Sequence, residues 1–230
     1  MPFVIAVLLV FTVMLIHESG HALTALALGV PIKEFAIGVP WPKALTVKIG
    51  KVRISPFLIL AAVAIDDKDY NRASLLQKSL IALAGPLSNF IAGIVAALIF
   101  FGKTKGIFIS GVITDANIFA IGALFTTKTG LSNLVSPVGV VEMAAKLIAA
   151  DFKEGFLIMW LVLSFGIPVV NLLPIPALDG GQILTAIICH AKGNTPKAIR
   201  GSRMVTTAYF SVLMAGMILL VVKDVLHFFR

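Results

Sequence analysis

Charge is what this sequence lacks most. Only 13% of its 230 residues are Asp, Glu, Lys or Arg, about half the share of a typical soluble domain, so a polar surface cannot be assembled from it. With 59% hydrophobic residues and a mean hydropathy of +1.02, the chain is neither an ordinary cytosolic domain nor a disordered one, and a membrane protein that spans the bilayer several times remains. Cysteine is almost absent. A lone Cys189 excludes an internal disulfide framework and reads as a small apolar residue in a buried helix. Acidic residues number 11 against 19 Lys and Arg, but the basic ones fall between apolar runs, where loops and anionic lipid headgroups account for them. Aromatic residues are not interleaved with them and no nucleic-acid motif is present, so nucleic acid is not an expected partner; the lipid bilayer is.

The apolar runs set the expected fold: an all-α polytopic membrane protein, one transmembrane domain over 1–230, with four spans near 3–30, 79–102, 155–190 and 204–222. The first holds only three ionisable side chains, and its lack of a basic start and of a cleavage-like end separates it from a signal peptide. The third is interrupted near 168–180 by Pro168, Pro174 and Pro176. Residues 107–127 stay ambiguous between a re-entrant or interfacial piece and an additional span. With four spans, the loops at 31–78 and 190–203 hold twelve Lys and Arg against seven elsewhere, which predicts those loops inside and both termini outside. Residues 44–55 read as a β-hairpin, with Val47, Ile49, Val52 and Ile54 alternating with basic residues around Gly50. The following strand carries the β region to about residue 60, and such a strand must sit in a protein-lined cavity or at the interface. Residues 138–153 fit an amphipathic helix on the outer surface.

His17-Glu18-Ser19-Gly20-His21 is an H-E-x-x-H segment in the first span. Two imidazoles at i and i+4 share a helix face and can hold one Zn²⁺, and the Glu between them is placed to deprotonate a metal-bound water. Chance placement of this pattern is about one in a thousand. Three ionisable groups within five residues of a membrane span are costly, which favours a function for them. The competing reading is a small ion or metal transporter using the same cluster without hydrolysis. A catalytic zinc usually has three protein ligands. Asp179 is the lone ionisable residue in a charge-free stretch, beside Pro174, Pro176, Gly180 and Gly181, where the helix breaks inside the membrane; it stands out as the third ligand. It would also serve as a helix cap there.

These segments together resemble the site-2 protease family of intramembrane zinc metalloproteases (peptidase family M50). His17 to His21 and Asn171-Leu-Leu-Pro174-Ile-Pro176-Ala-Leu-Asp179-Gly180-Gly181 carry the resemblance, with Ala84-Gly85-Pro86-Leu87-Ser88-Asn89 and Ser136-Pro137-Val138-Gly139 adding to it. The order of the pieces is closest to the bacterial regulator-of-sigma-E protease branch. The resemblance implies His17, His21 and Asp179 as ligands of one Zn²⁺ per chain, Glu18 as general base, and Asn171 as a substrate-backbone or oxyanion contact. It also implies membrane-protein substrates held in extended form by the hairpin, and single-span transmembrane helices are the expected ones. The Lys and Arg count, with His21 and Asp179 at similar distances before Lys33 and Lys192, puts the site nearer the cytoplasmic face. Two departures stand beside the resemblance. The connection 103–154 is too short to hold the PDZ domains of that branch, and the Gly-Gly-Tyr stretch usual after the hairpin is absent. Asn89 and Gly85-Pro86 read first as helix-packing residues.

Overall fold

The computed structural model describes residues 1–39, 45–55, 57–126 and 134–228. Its elements are, in order, α1 (Pro2–Ala27), β1 (Ile32–Val39), β2 (Val47–Ile49), β3 (Val52–Ile54), β4 (Phe57–Ile65), α2 (Asp67–Arg72), α3 (Leu75–Thr126), α4 (Pro137–Ala150), α5 (Phe152–Asn171), α6 (Asp179–Ala191) and α7 (Pro196–Phe228). Among the described residues four helices, α1, α3, α5 and α7, are long and apolar enough to cross a membrane. Side chains such as Leu23, Ile99, Phe119 and Leu219 project from the protein. In water they would be a liability, whereas in lipid they cost nothing and mark the bilayer-facing surface. The chain is a multi-pass membrane protein.

α1 runs through the centre of the bundle. Along its first half Ala6, Leu9 and Val13 pack against Ala144 and Ile148 of α4 and Met159 of α5. Past its other end Val30 and Ile32 join Ala22, Ala25 and Ile81 in a second cluster. Small residues on α1 let α3 approach closely: a Cβ on Gly20 would overlap the Ala84 carbonyl and the Ser88 hydroxyl. Ser88 Oγ in turn donates to the Ile16 carbonyl at 3.0 Å, an interhelical hydrogen bond of the kind that joins helices in membranes.

The ambiguous segment 107–127 is helical in its described part. α3 breaks at Gly102, whose φ of +72° lies where a residue with a Cβ is strained. Beyond the break the helix returns along α5. Ile109 and Ile113 join Ala97, Leu161 and Phe165 in a third cluster, and a Cβ on Gly166 would meet the Asn117 side chain at 2.7 Å. Residues 127–130 and 131–133, including the end of that segment, lie outside the described residues.

The expected hairpin is present, β2 pairing antiparallel with β3 and turning at Gly50 (φ +59°); its residue 44 lies outside the described residues. It belongs to a larger sheet in the order β2-β3-β1-β4. β1, which sequence reasoning leaves as loop, lies parallel to β3 and antiparallel to β4. Glu34 of β1 accepts from Arg53 Nε at 2.6 Å and Lys48 Nζ at 3.3 Å, tying β1 to both hairpin strands. That hydrogen bond from the Arg53 guanidinium holds the Glu34 carboxyl below the ordinary glutamate range. β4 is one of the two edge strands, β2 being the other, and lies against α1. α4 covers Pro137–Ala150, capped by Ser136 Oγ accepting from the Gly139 amide at 3.3 Å.

Candidate active site

His17 and His21 lie one turn apart on α1 and are both buried. Asp179 reaches them from the first residue of α6, 162 positions later than His17. The chain between α5 and α6 makes this possible. α5 ends at Asn171, two prolines prevent its continuation, and tight turns close from Leu173 to Ile175 and from Ile175 to Leu178. Gly181 fits against the Ile175 carbonyl, where a Cβ would overlap it.

The three candidate ligand atoms converge. His17 Nε2 is 3.1 Å from Asp179 Oδ2 and 3.2 Å from His21 Nε2, and His21 Nε2 is 3.4 Å from the same carboxylate oxygen. Bonds of about 2.0–2.1 Å around a tetrahedral zinc place neighbouring ligand atoms about 3.3 Å apart, so the donor set fits that ion in both chemistry and spacing. The outer nitrogens fit as well. His21 Nδ1–H donates to the Ile81 carbonyl at 2.7 Å, which leaves Nε2 as the nitrogen with a free lone pair. His17 Nδ1 lies 3.4 Å from the amide nitrogen of Asn89, while the buried Asn89 Oδ1 has no partner among the described residues. When Nε2 of His17 faces a metal its Nδ1 carries the proton, and turning the Asn89 amide over supplies an acceptor for it.

Glu18 faces the same cavity of about 320 Å³, with Tyr70, Asn171 and Gln182 among its walls. Its Oε2 accepts from the Val63 amide of β4 at 3.0 Å. The β4 edge of the sheet therefore lies against Glu18, the carboxylate that stands beside, rather than within, the candidate ligand set. Asn171 lines the cavity and donates one amide hydrogen to the Ile167 carbonyl at 3.1 Å, leaving the other for a ligand. Burial, with the nearby Asp179 carboxylate adding to it, pushes the Tyr70 hydroxyl up to about 12, so it stays protonated at any working pH.

All five residues singled out in the sequence, His17, Glu18, His21, Asn171 and Asp179, thus surround one cavity. Sequence reasoning missed Tyr70, Gln182 and the Val63 amide, and it read Asn89 as packing. Gln182 carried a usable signal: three residues after Asp179, it shares that helix face and donates to Asp179 Oδ1 at 3.4 Å. The Val63 amide carried none, since a backbone donor has no identity in sequence.

A buried cluster of two histidines from H-E-x-x-H and one carboxylate, which could hold a metal ion among membrane-length helices, is the arrangement expected of the membrane metallopeptidase class. The chain matches the family model for peptidase family M50 over residues 4–216 and belongs to that family. It is 34% identical over 110 residues to the zinc metalloprotease RasP of Geobacillus kaustophilus, covering 47% of this chain and 25% of that protein. With the probable protease eep of Enterococcus faecalis it shares 34% over 110 residues, 48% of this chain and 25% of the relative. With the regulator of sigma-E protease RseP of Salmonella typhimurium it shares 35% over 74 residues, 32% and 16% of the two chains. The matched region spans about a quarter or less of the length of these curated relatives.

Proposed function

We propose that this chain is an intramembrane zinc endopeptidase that hydrolyses peptide bonds within or near transmembrane helices of single-span substrates. The observation that carries the reading is the 3.1–3.4 Å triangle of His17, His21 and Asp179 with Glu18 beside it on one cavity. His17, His21 and Asp179 would hold one Zn²⁺ per chain. Bound there, zinc supplies Lewis-acid polarisation of the scissile carbonyl and acidifies the attacking water. Glu18 accepts the proton from that water and returns it to the leaving amine. Asn171 offers its free amide hydrogen to a substrate carbonyl.

The sheet edge addresses a problem specific to membrane substrates. A helical substrate keeps its carbonyls in i→i−4 bonds, so cleavage requires it to unwind, and unwound backbone in lipid must find new partners. β4, at an edge of the sheet, presents its backbone beside Glu18. A substrate strand added there regains its bonds and lies across the cavity. The Glu18–Val63 contact is then exchanged for a contact with substrate. Both termini lie outside in this reading, with the site nearer the cytoplasmic face. The whole described chain acts as one protease domain. No feature of the site or of the relatives favours ion transport.

The test is cleavage of tagged transmembrane peptides by purified wild type and Glu18→Gln, with zinc measured in both. Glu18→Gln is expected to keep its zinc and lose cleavage by about 10²–10⁴-fold. Undiminished cleavage by that variant would remove Glu18 from the mechanism. Zinc absent from the wild type would remove the metal.

A further inference from the structure

A second cavity, of about 310 Å³, lies where α2, the start of α3, α6 and the start of α7 meet, and it shares the side chains of Tyr70 and Gln182 with the catalytic one. Among the described residues its lining is basic and hydroxylic, Lys78 and Arg203 with Thr185, Ser202, Thr206 and Thr207. Lys78 is only 7% exposed. Its ammonium donates to the Asn71 carbonyl at 3.3 Å and lies 5.6 Å from the centre of the Tyr70 ring. Among the described residues no carboxylate pairs with it. A buried cation with no anion is costly, because neither a carbonyl nor a ring replaces both its hydration and a counter-charge. The cavity wants an anion.

Where it sits decides which anion. Lys78 is the last charge before the uncharged stretch Ser79 to Gly102, and Arg203 is the last before Met204 to Val222. Both basic groups therefore stand at one boundary between polar connections and apolar helix. The α7 face that brings Arg203, Thr206 and Thr207 to the cavity continues, at helical spacing, through Phe210, Leu213 and Met214, which are all exposed. A polar, cationic pocket thus opens onto an apolar stripe. That is the shape of an amphiphile with an anionic head.

We propose that this cavity binds the phosphate of an anionic phospholipid, with acyl chains lying along Phe210, Leu213 and Met214. Lys78 supplies the buried charge, and the α7 hydroxyls donate to phosphate oxygens. The inference does not depend on the proteolytic reading, and its test uses no cleavage assay.

The full chain, purified in detergent and stripped of lipid, is titrated with dioleoylphosphatidylglycerol, dioleoylphosphatidylcholine or inorganic phosphate, following bound lipid by native mass spectrometry and the thermal unfolding midpoint. Phosphatidylglycerol at 100 times its Kd is expected to raise the midpoint by about 5–10 °C. Phosphatidylcholine and inorganic phosphate should each do so by less than about a third of that. Lys78→Met should weaken phosphatidylglycerol binding at least about tenfold, while its midpoint without anionic lipid stays level or rises because an uncompensated buried charge has gone. Lys78→Arg should restore the binding. Should Lys78→Met fail to fold, Lys78→Gln carries the same affinity test. Equal shifts from the two lipids, or unchanged phosphatidylglycerol affinity in the variants, would overturn the site. A full shift from inorganic phosphate alone would overturn the lipid and leave a free-anion site.

Discussion

Gly85 is where a single methyl group separates the fold from the proposed metal site. It lies on α3 against both imidazoles. A Cβ there would overlap His21 Nε2, approach His21 Cε1 to 2.6 Å and approach His17 Nε2 to 2.8 Å. Ordinary contact needs 3.4 Å or more, so the rings must move by up to about 1 Å, several times the ±0.2 Å that a zinc site tolerates. The imidazoles are side-chain ends and can rotate away, and alanine is better than glycine in a helix interior by up to about 1 kcal/mol. Gly85→Ala should therefore fold, with an unfolding midpoint in the metal-free state equal to or above that of the wild type. Zinc affinity should fall at least about 100-fold, or about 2.8 kcal/mol, because one or both nitrogens leave the ligand triangle. Competition against a chromogenic chelator measures the affinity and a melt in the presence of chelator measures the fold. Gly216→Ala on α7, where nothing lies within 4 Å of the new Cβ, is the control and should leave zinc affinity unchanged. Affinity within threefold of the wild type in Gly85→Ala would refute the ligand geometry.

Asn89→Leu, which removes the acceptor for His17 Nδ1–H, should weaken zinc binding about 10–100-fold, whereas Asn89→Asp should retain it; equal losses in both would mean Asn89 only packs. Asp224→Ala removes the acceptor that holds the Ser136 amide at 2.8 Å, and should destabilise the α4–α7 contact by about 1 kcal/mol, seen as faster hydrogen exchange at the start of α4. The β-sheet should loosen in acid. Glu34 titrates below its ordinary value in the fold, so its contribution is complete above the unfolded value, about 4.3, and disappears as the pH falls through the lower folded one. Amide exchange in β1 and β3 should accelerate over that window in the wild type and not in Glu34→Gln.

Much of this protein is local and therefore readable along the chain. Spans are runs of apolar residues, and the two histidines share a face because a helix repeats every 3.6 residues. Asp179 announces itself as a lone charge in an apolar stretch, a helix break is written in Pro174 and Pro176, and the β2–β3 hairpin is two alternating strands around one glycine. What the tertiary structure alone decided is whatever depends on a partner far away in sequence. β1 alternates no more clearly than a loop and is a strand because β3 and β4 flank it. The return of α3 beyond Gly102 depends on the surface that α5 offers it, and the role of Asn89 on an imidazole 72 residues away. The contact that ties Glu18 to the sheet edge uses a backbone amide that every residue but proline possesses, so only the fold can say which one it is.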